Sequence, residues 1–289
     1  MNTNTNAPSL PASAKVWFIT GAASGFGRAL VREAVDRGDA VVATARKPES
    51  LADLVALAPS RVLALRLDVT QPAQSHAAVT EALSHFGRID VLVNNAGFSI
   101  IGAVEETSDE ALRDTLELMF FGAARLTRDV VPHLRERGAG TIVQMSSMAG
   151  LNTSPGFSAY CAAKHALEGF SECLAHELRP HGVRVLIVEP GTFRTSLFGD
   201  AFRRMPEHPA YASTSGTLRA WVSQADGQQP GDPAKAARVI VDEVARPLRP
   251  DAPLRLPLGG DAVDGIRQKL AFIAADIDHG ERAARATAF

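Results

Sequence analysis

Val16-Trp17-Phe18-Ile19-Thr20-Gly21-Ala22-Ala23-Ser24-Gly25-Phe26-Gly27 decides the fold. The first four residues are apolar without alternation, as in a strand covered on both faces. A glycine-rich turn follows, then a helix-like stretch over 25–37 with Leu30, Val31, Ala34 and Val35 on one side. Strand, turn and helix N-terminus in succession make an anion site, because free backbone N–H groups and the positive dipole end point the same way. The glycines permit a tight turn and the close approach of a pyrophosphate. The spacing G-x-x-x-G-x-G departs from the commoner G-x-G-x-x-G. An isolated turn of this kind is most often only a turn, so the chain beyond it must decide.

Beyond it the unit repeats. Apolar strands are expected at 40–44, 62–67, 89–93, 141–145 and 183–188, with helices at 49–57, 73–86, 110–137 and 158–178 between them. Six strands alternating with helices predict an α/β fold: one Rossmann-type, doubly wound parallel sheet with helices on both faces. The rhythm breaks after Pro190. Residues 191–233 are long and irregular, with Phe193, Leu197, Phe198, Phe202, Tyr211 and Trp221 among polar residues. A connection of that length is functional or disordered. Its aromatics favour a substrate lid over about 192–232, against the plainer reading of a surface excursion. A helix at 233–246, a short strand at 254–256 and a helix at 262–277 complete the chain, read as one domain over 15–289. Residues 1–14 are rich in Asn, Thr, Ser and Pro, with neither the basic start nor the apolar run of a signal peptide, and read as a disordered tail.

Composition narrows the function classes. With 46% hydrophobic and 21% charged residues the chain is an ordinary globular one. Lys and Arg total 30 against 32 Asp and Glu, a net charge of -2, which gives no electrostatic case for nucleic acid or an acidic membrane. No apolar run approaches the roughly 18 residues of a membrane span, and no metal-ligand set stands out. The two cysteines, Cys161 and Cys173, would lie roughly 18 Å apart on one helix, too far for a disulfide. Free thiols suit the cytoplasm.

The remaining chemistry falls at the C-terminal ends of strands, where open α/β sheets bind ligands. The second strand ends Thr44-Ala45-Arg46-Lys47, with no acid to hold a ribose 2′-OH. Arg46 instead suits a 2′-phosphate, so NADP(H) is preferred, with NAD(H) still open. Thr20 and Ser24 are expected on the same phosphate side. Asp68-Val69 ends the third strand and Asn94-Asn95-Ala96-Gly97 follows the fourth. Ser146-Ser147 ends the fifth, and Pro190-Gly191-Thr192-Phe193-Arg194-Thr195 follows the sixth, where backbone and the Thr195 hydroxyl can cradle a carboxamide. Tyr160 and Lys164, four apart, share one helix face. A cation one turn away favours the phenolate, so Lys164 is expected to lower the Tyr160 pKa and make it an acid/base for a carbonyl or alcohol oxygen. Ser147 can meet the same oxygen. Alone, each of these is a packed ring, a solvated amine or a helix cap.

Together they resemble the short-chain dehydrogenases/reductases over nearly the whole chain. The turn Thr20 to Gly27, Asp68-Val69, Asn94 to Gly97, Ser147, Tyr160-x-x-x-Lys164 and Pro190-Gly191 stand in that family's order and spacing. The resemblance implies a sheet of about seven strands, a nicotinamide cofactor and alcohol oxidation or ketone reduction. It implies Tyr160 as general acid/base, Lys164 as the group that tunes it and binds the nicotinamide ribose, and Ser147 as the residue orienting the carbonyl. It implies a cofactor site of Thr20, Gly21, Ala23, Ser24, Gly25, Phe26, Gly27, Arg46, Asp68, Val69, Asn95, Ala96, Gly97, Tyr160, Lys164, Pro190, Gly191, Phe193 and Thr195. It further implies a homo-oligomer, dimer or tetramer, built on the helices at 110–137 and 158–178.

The looser likeness within the family is to bacterial ketone reductases grouped with 17β-hydroxysteroid dehydrogenases, which does not fix a steroid substrate. One departure stands out: Met119 occupies the position where many members carry an Asn that holds a water of the proton relay. Methionine accepts hydrogen bonds only weakly, and on a long helix it reads as core filler. Ile100, Ile101, residues 150–157 and the lid suggest an apolar substrate pocket. Two other readings compete. A nucleotide sensor without turnover is favoured only by Met119 and opposed by the intact Ser147, Tyr160 and Lys164. A sugar-nucleotide epimerase or dehydratase would need a larger C-terminal substrate domain than the chain has left after Gly191.

Overall fold

The computed structural model describes residues 10–11, 13–199 and 201–289. Most of the tail expected to be disordered lies outside these. The elements are β1 (Val16–Ile19), α1 (Gly25–Asp36), β2 (Ala40–Ala45), α2 (Ala52–Leu57), β3 (Val62–Arg66), α3 (Pro72–Phe86), β4 (Val91–Asn94), β5 (Ser99–Ile101), α4 (Asp109–Leu116), α5 (Gly122–Arg137), β6 (Gly140–Met145), α6 (Ser158–Leu178), β7 (Val183–Pro190), β8 (Phe202–Arg204), α7 (Thr217–Ala225), α8 (Pro233–Ala245), β9 (Arg255–Leu258) and α9 (Gly260–Arg285).

Seven parallel strands form the expected central sheet in the order β3-β2-β1-β4-β6-β7-β9. Period-two alternation splits β1 between two cores. Trp17 and Ile19 pack with Leu30, Val31 and Ala34 of α1 and Ile240 and Val241 of α8. Val16 and Phe18 face the opposite layer, with Val79 of α3, Leu126, Val130 and Leu134 of α5 and Leu174 of α6. Each such fully buried aliphatic side chain contributes about 1.5–3 kcal/mol relative to exposure. Trp17 keeps its polar handle satisfied, donating Nε1–H to Asp39 Oδ2 at 2.7 Å. The strand order reverses between β1 and β4, and such a switch point opens a crevice at the C-terminal edge of a sheet.

Two regions differ from expectation. The helix expected over 110–137 is interrupted by a π-helical turn, Glu117–Phe121, which carries Met119. The extra residue of a π turn cannot be seen in 3.6-residue periodicity. The segment after Pro190 is more regular than its composition suggested. β8 pairs in parallel with β5, forming a separate two-stranded sheet, and α7 packs beneath it through Val222. Among the described residues no helix is long and apolar enough to cross a membrane.

Candidate active site

The turn after β1 has the backbone that its glycines allow. Gly21 and Gly25 take φ of 66° and 53°, the left-handed region that side chains disfavour. A Cβ on Gly27 would stand 2.4 Å from the Gly21 carbonyl oxygen. Ser24 holds the N-cap of α1 without a capping hydrogen bond. The first-turn N–H groups of α1 are thus left without a side-chain acceptor, as an anion site requires.

Thr20, expected on the phosphate side, turns inward instead. Its Oγ1 donates to the Val93 carbonyl at 3.3 Å and accepts from the N–H groups of Asn95 and Ala96 at 2.8 and 3.0 Å. Asn95 returns the contact through Nδ2 to the Thr20 carbonyl at 2.8 Å. These four bonds clamp the turn after β1 to the turn after β4, so Thr20 shapes the cleft without lining it. Gly27 likewise sits behind the turn. Asn94 is buried and structural, donating to Thr127 Oγ1 and Gln144 Oε1 at 2.9 and 3.0 Å.

The other proposed positions meet in one cleft of about 720 Å³ at the switch point. Gly21, Ala23, Ser24, Gly25, Phe26, Arg46, Asp68, Val69, Asn95, Ala96, Gly97, Ser147, Tyr160, Lys164, Pro190, Gly191, Phe193 and Thr195 all line it. Arg46 is exposed at the rim and makes no ion pair among the described residues. Asp68 caps its own turn, accepting from Thr70 N and Oγ1 at 3.0 and 2.7 Å. Phe26 and Phe193 meet at a tilt of 56° with their ring centroids 5.1 Å apart.

Three polar side chains converge at the inner end. Tyr160 and Lys164, one turn apart on α6, are both buried. The Lys164 ammonium lies 5.6 Å from the Tyr160 ring centroid and donates to the Met145 carbonyl at 2.8 Å. Ser147 follows β6 and accepts from Ala149 N at 3.1 Å, so it is a cap as well. Its Oγ also donates to the Pro190 carbonyl at 3.4 Å. The electrostatics correct the expectation of a lowered tyrosine. Burial pushes Tyr160 up to about 12, and the neighbouring Ser147 hydroxyl only partly opposes this. Burial pulls Lys164 down to about 8, against the Glu168 carboxylate. Desolvation disfavours the charged form of each group and is the leading cause for both. At neutral pH the cleft therefore presents a protonated phenol.

Long-range contacts hold this end in place. Asp261, in the first turn of α9, accepts from Thr192 N and Oγ1 at 2.7 and 2.6 Å and fixes the loop after β7. Arg255 on β9 pairs with Glu168 and Glu172 on α6 and with Glu189 on β7, bracing the helix that carries Tyr160. Glu189, fully buried, is pushed up to about 7, chiefly by burial and by the Glu168 charge, against Arg255. Sequence reasoning missed Asp261, Arg255 and Glu189. An acid opening a helix reads as a dipole partner, and nothing in the sequence ties it to Thr192.

The apolar wall also comes from residues other than those expected. Ile100 and Ile101 are buried in β5, and residues 150–157 do not line the cleft. Phe98, Leu118, Met119, Phe198 and Ala201 do, with Arg203 lying 3.9 Å over the Phe98 ring. Met119 is 2% exposed and packs against Gly97, Phe98 and Tyr160.

Comparison with known proteins gives a consistent picture. The family profile described as short chain dehydrogenase matches residues 15–206. The oxidoreductase BOA17 of Botryotinia fuckeliana is 37% identical over 251 residues, covering 86% of this chain and 90% of that protein. A short-chain dehydrogenase of known structure from Streptomyces avermitilis is 49% identical, with a TM-score of 0.90 over 96% of this chain and all of the other. A short-chain dehydrogenase/reductase from Burkholderia phymatum, solved in complex with NAD, is 26% identical, with a TM-score of 0.80 over 91% of this chain and 95% of the other.

Proposed function

The chain belongs to the short-chain dehydrogenase/reductase family of oxidoreductases, and from that premise we propose that it interconverts a ketone or aldehyde and the corresponding alcohol, with NADP(H) preferred. The observation that carries the reading is the convergence of Ser147, Tyr160 and Lys164 beside the glycine turn at one sheet edge. The glycine cradle and the uncapped N-terminus of α1 suit a pyrophosphate. Arg46 would meet a 2′-phosphate, and Asp68 and Val69 would flank the adenosine. Asn95, Ala96 and Gly97 would wall the middle. Pro190, Gly191, Phe193 and Thr195 would surround the carboxamide.

A nicotinamide bound there supplies or accepts the hydride. The residues supply the rest. In reduction, Tyr160, neutral with its pKa near 12, donates its proton to the carbonyl oxygen as charge develops on it. Ser147 donates a second hydrogen bond to that oxygen. Lys164 steadies the phenolate left behind and holds a ribose hydroxyl. The apolar wall of Phe98, Leu118 and Phe198 suits an apolar substrate and excludes water. We place the enzyme in the cytoplasm, where its unpaired Cys161 and Cys173 would stay reduced. We place family-type subunit contacts on α5 and α6.

Oxidation of NADPH and of NADH against ketones, aldehydes, quinones and steroids tests the reading. Turnover with at least one carbonyl is expected, and Arg46→Asp should weaken NADP(H) about tenfold or more while sparing NAD(H). Equal effects on both cofactors would refute the 2′-phosphate role. Cofactor binding without turnover on any substrate would overturn the catalytic reading in favour of a sensor.

A further inference from the structure

α9 begins beside the site, where Asp261 holds Thr192, and runs away from it. Its first turns are seated, with Ala262 and Ile266 buried and Asp261 on Thr192. From Arg267 to Arg285 every residue is exposed except the half-buried Lys269 and Gly280. A helix of 26 residues is about 39 Å long, so most of α9 projects from the body. A free helical arm of this kind is marginal in water without a packed face.

The arm carries such a face. Val263, Ile266, Leu270, Ile273 and Ile277 recur at alternating steps of three and four. Leu270, Ile273 and Ile277 are 56%, 40% and 62% exposed. A stripe two residues wide per heptad is the seam of a helix pair, narrower than the face of a helix laid on a globular core. The residues beside the stripe specify the occupant. Lys269 and Asp276 precede Leu270 and Ile277 and occupy the same flank one heptad apart.

We propose that two copies of the chain associate through α9, with the helices antiparallel. Centred between Leu270 and Ile273, the pair sets Leu270 of each copy on Ile273 of the other. It also sets Lys269 of each copy beside Asp276 of the other, twice by symmetry. The opposite flank carries Arg267 and Ala274, which raise no conflict. A parallel pair in register would set Lys269 against Ala274 and leave both charges unmatched. Gly280 and Ala284 continue the stripe. Their small size suits the point where each helix passes the other copy's body.

The test is the solution mass of the full chain by sedimentation equilibrium. Leu270→Asp with Ile277→Asp should halve the wild-type mass with the circular dichroism of the fold retained. Lys269→Asp alone, or Asp276→Lys alone, should weaken association about tenfold, since each turns two attractions into two repulsions. The double swap should restore it. An unchanged mass in the apolar variant would overturn the proposal. Failure of the swap to restore association would overturn the antiparallel register. Capture of the wild-type chain by anionic lipid vesicles, with no mass change in the variants, would assign the stripe to a membrane surface instead.

Discussion

The two walls of the cleft are held by different forces. The wall on the side of β1 and β4 is tied into the backbone: the Thr20 hydroxyl and the Asn95 amide join two turns through four hydrogen bonds to main-chain groups, and Gly27 leaves no room for a Cβ. The wall on the lid side rests on side chains. Phe157, Phe198, Phe202 and Trp221 touch edge-on at 5.9–6.3 Å. Glu106 and Arg219 form a buried pair at 2.7 Å, 3% and 6% exposed, that ties α7 to the segment after β5. Hydrogen bonds anchored on the main chain fix a shape that a bound dinucleotide can follow. Side-chain contacts of this kind can be exchanged to suit different substrates, as expected where one family serves many of them.

If the lid wall depends on its ion pair, the largest effect should follow Glu106→Gln. Arg219 would be left as an unpaired buried charge, at a cost of about 3–5 kcal/mol. Proteolysis within 205–231 should accelerate, and the urea midpoint should fall. The loss should also depend on pH. Burial pushes the Glu106 carboxyl up, but hydrogen bonds from His208 N, Ala103 N and Arg219 win and hold it at about 2. Its folded-state pKa is therefore depressed, so the stabilisation is whole above the ordinary carboxylate range and fades as pH falls through that range toward 2. The gap in stability between wild type and Glu106→Gln should narrow between pH 6 and 3. A gap independent of pH would mean that the aromatic chain carries the wall.

The backbone wall should answer differently. Gly27→Ala must displace the Gly21 carbonyl or the Asn95 amide, an overpacking of about 1–3 kcal/mol. Calorimetry should show cofactor binding weakened about tenfold or more, with proteolysis of the lid unchanged. A variant that binds normally would show that this wall yields as readily as the other. The smallest effect is expected where the two walls meet. Asp261→Asn weakens a charge-assisted contact to Thr192 and should raise the cofactor KM about fivefold at nearly constant kcat. A fall in kcat alone would place Asp261 in the proton chemistry instead.

The same contrast separates what was legible in the sequence from what was not. β1, α1, β2, α3, β6, α6 and β7 lie within a residue or two of the ranges read from the sequence, because strands buried on both faces leave an unbroken apolar run and helices buried on one side leave a 3.6-residue stripe. The cleft positions at strand ends followed from the same alternation. The lid wall did not, because its contacts join residues far apart in the chain. Arg219 meets Glu106 across 113 residues and Asp261 meets Thr192 across 69. β8 and β5 are three-residue strands that neither composition nor period could reveal. Thr20 turned inward because the turn after β4 supplied two amides that need an acceptor where they are part-buried. The Tyr160 pKa went the opposite way from expectation because sequence spacing reports a neighbour but not the degree of burial.

The proposed proton donor, Tyr160, is reached by one substitution. Tyr160→Phe keeps the ring that packs against Phe157 and removes only the hydroxyl. Carbonyl reduction by this variant and by wild type should be followed together with cofactor affinity. The account predicts kcat/KM lower by about 100-fold or more, with the cofactor still bound within roughly twofold of wild type. Carbonyl reduction by Tyr160→Phe at the wild-type rate would contradict it.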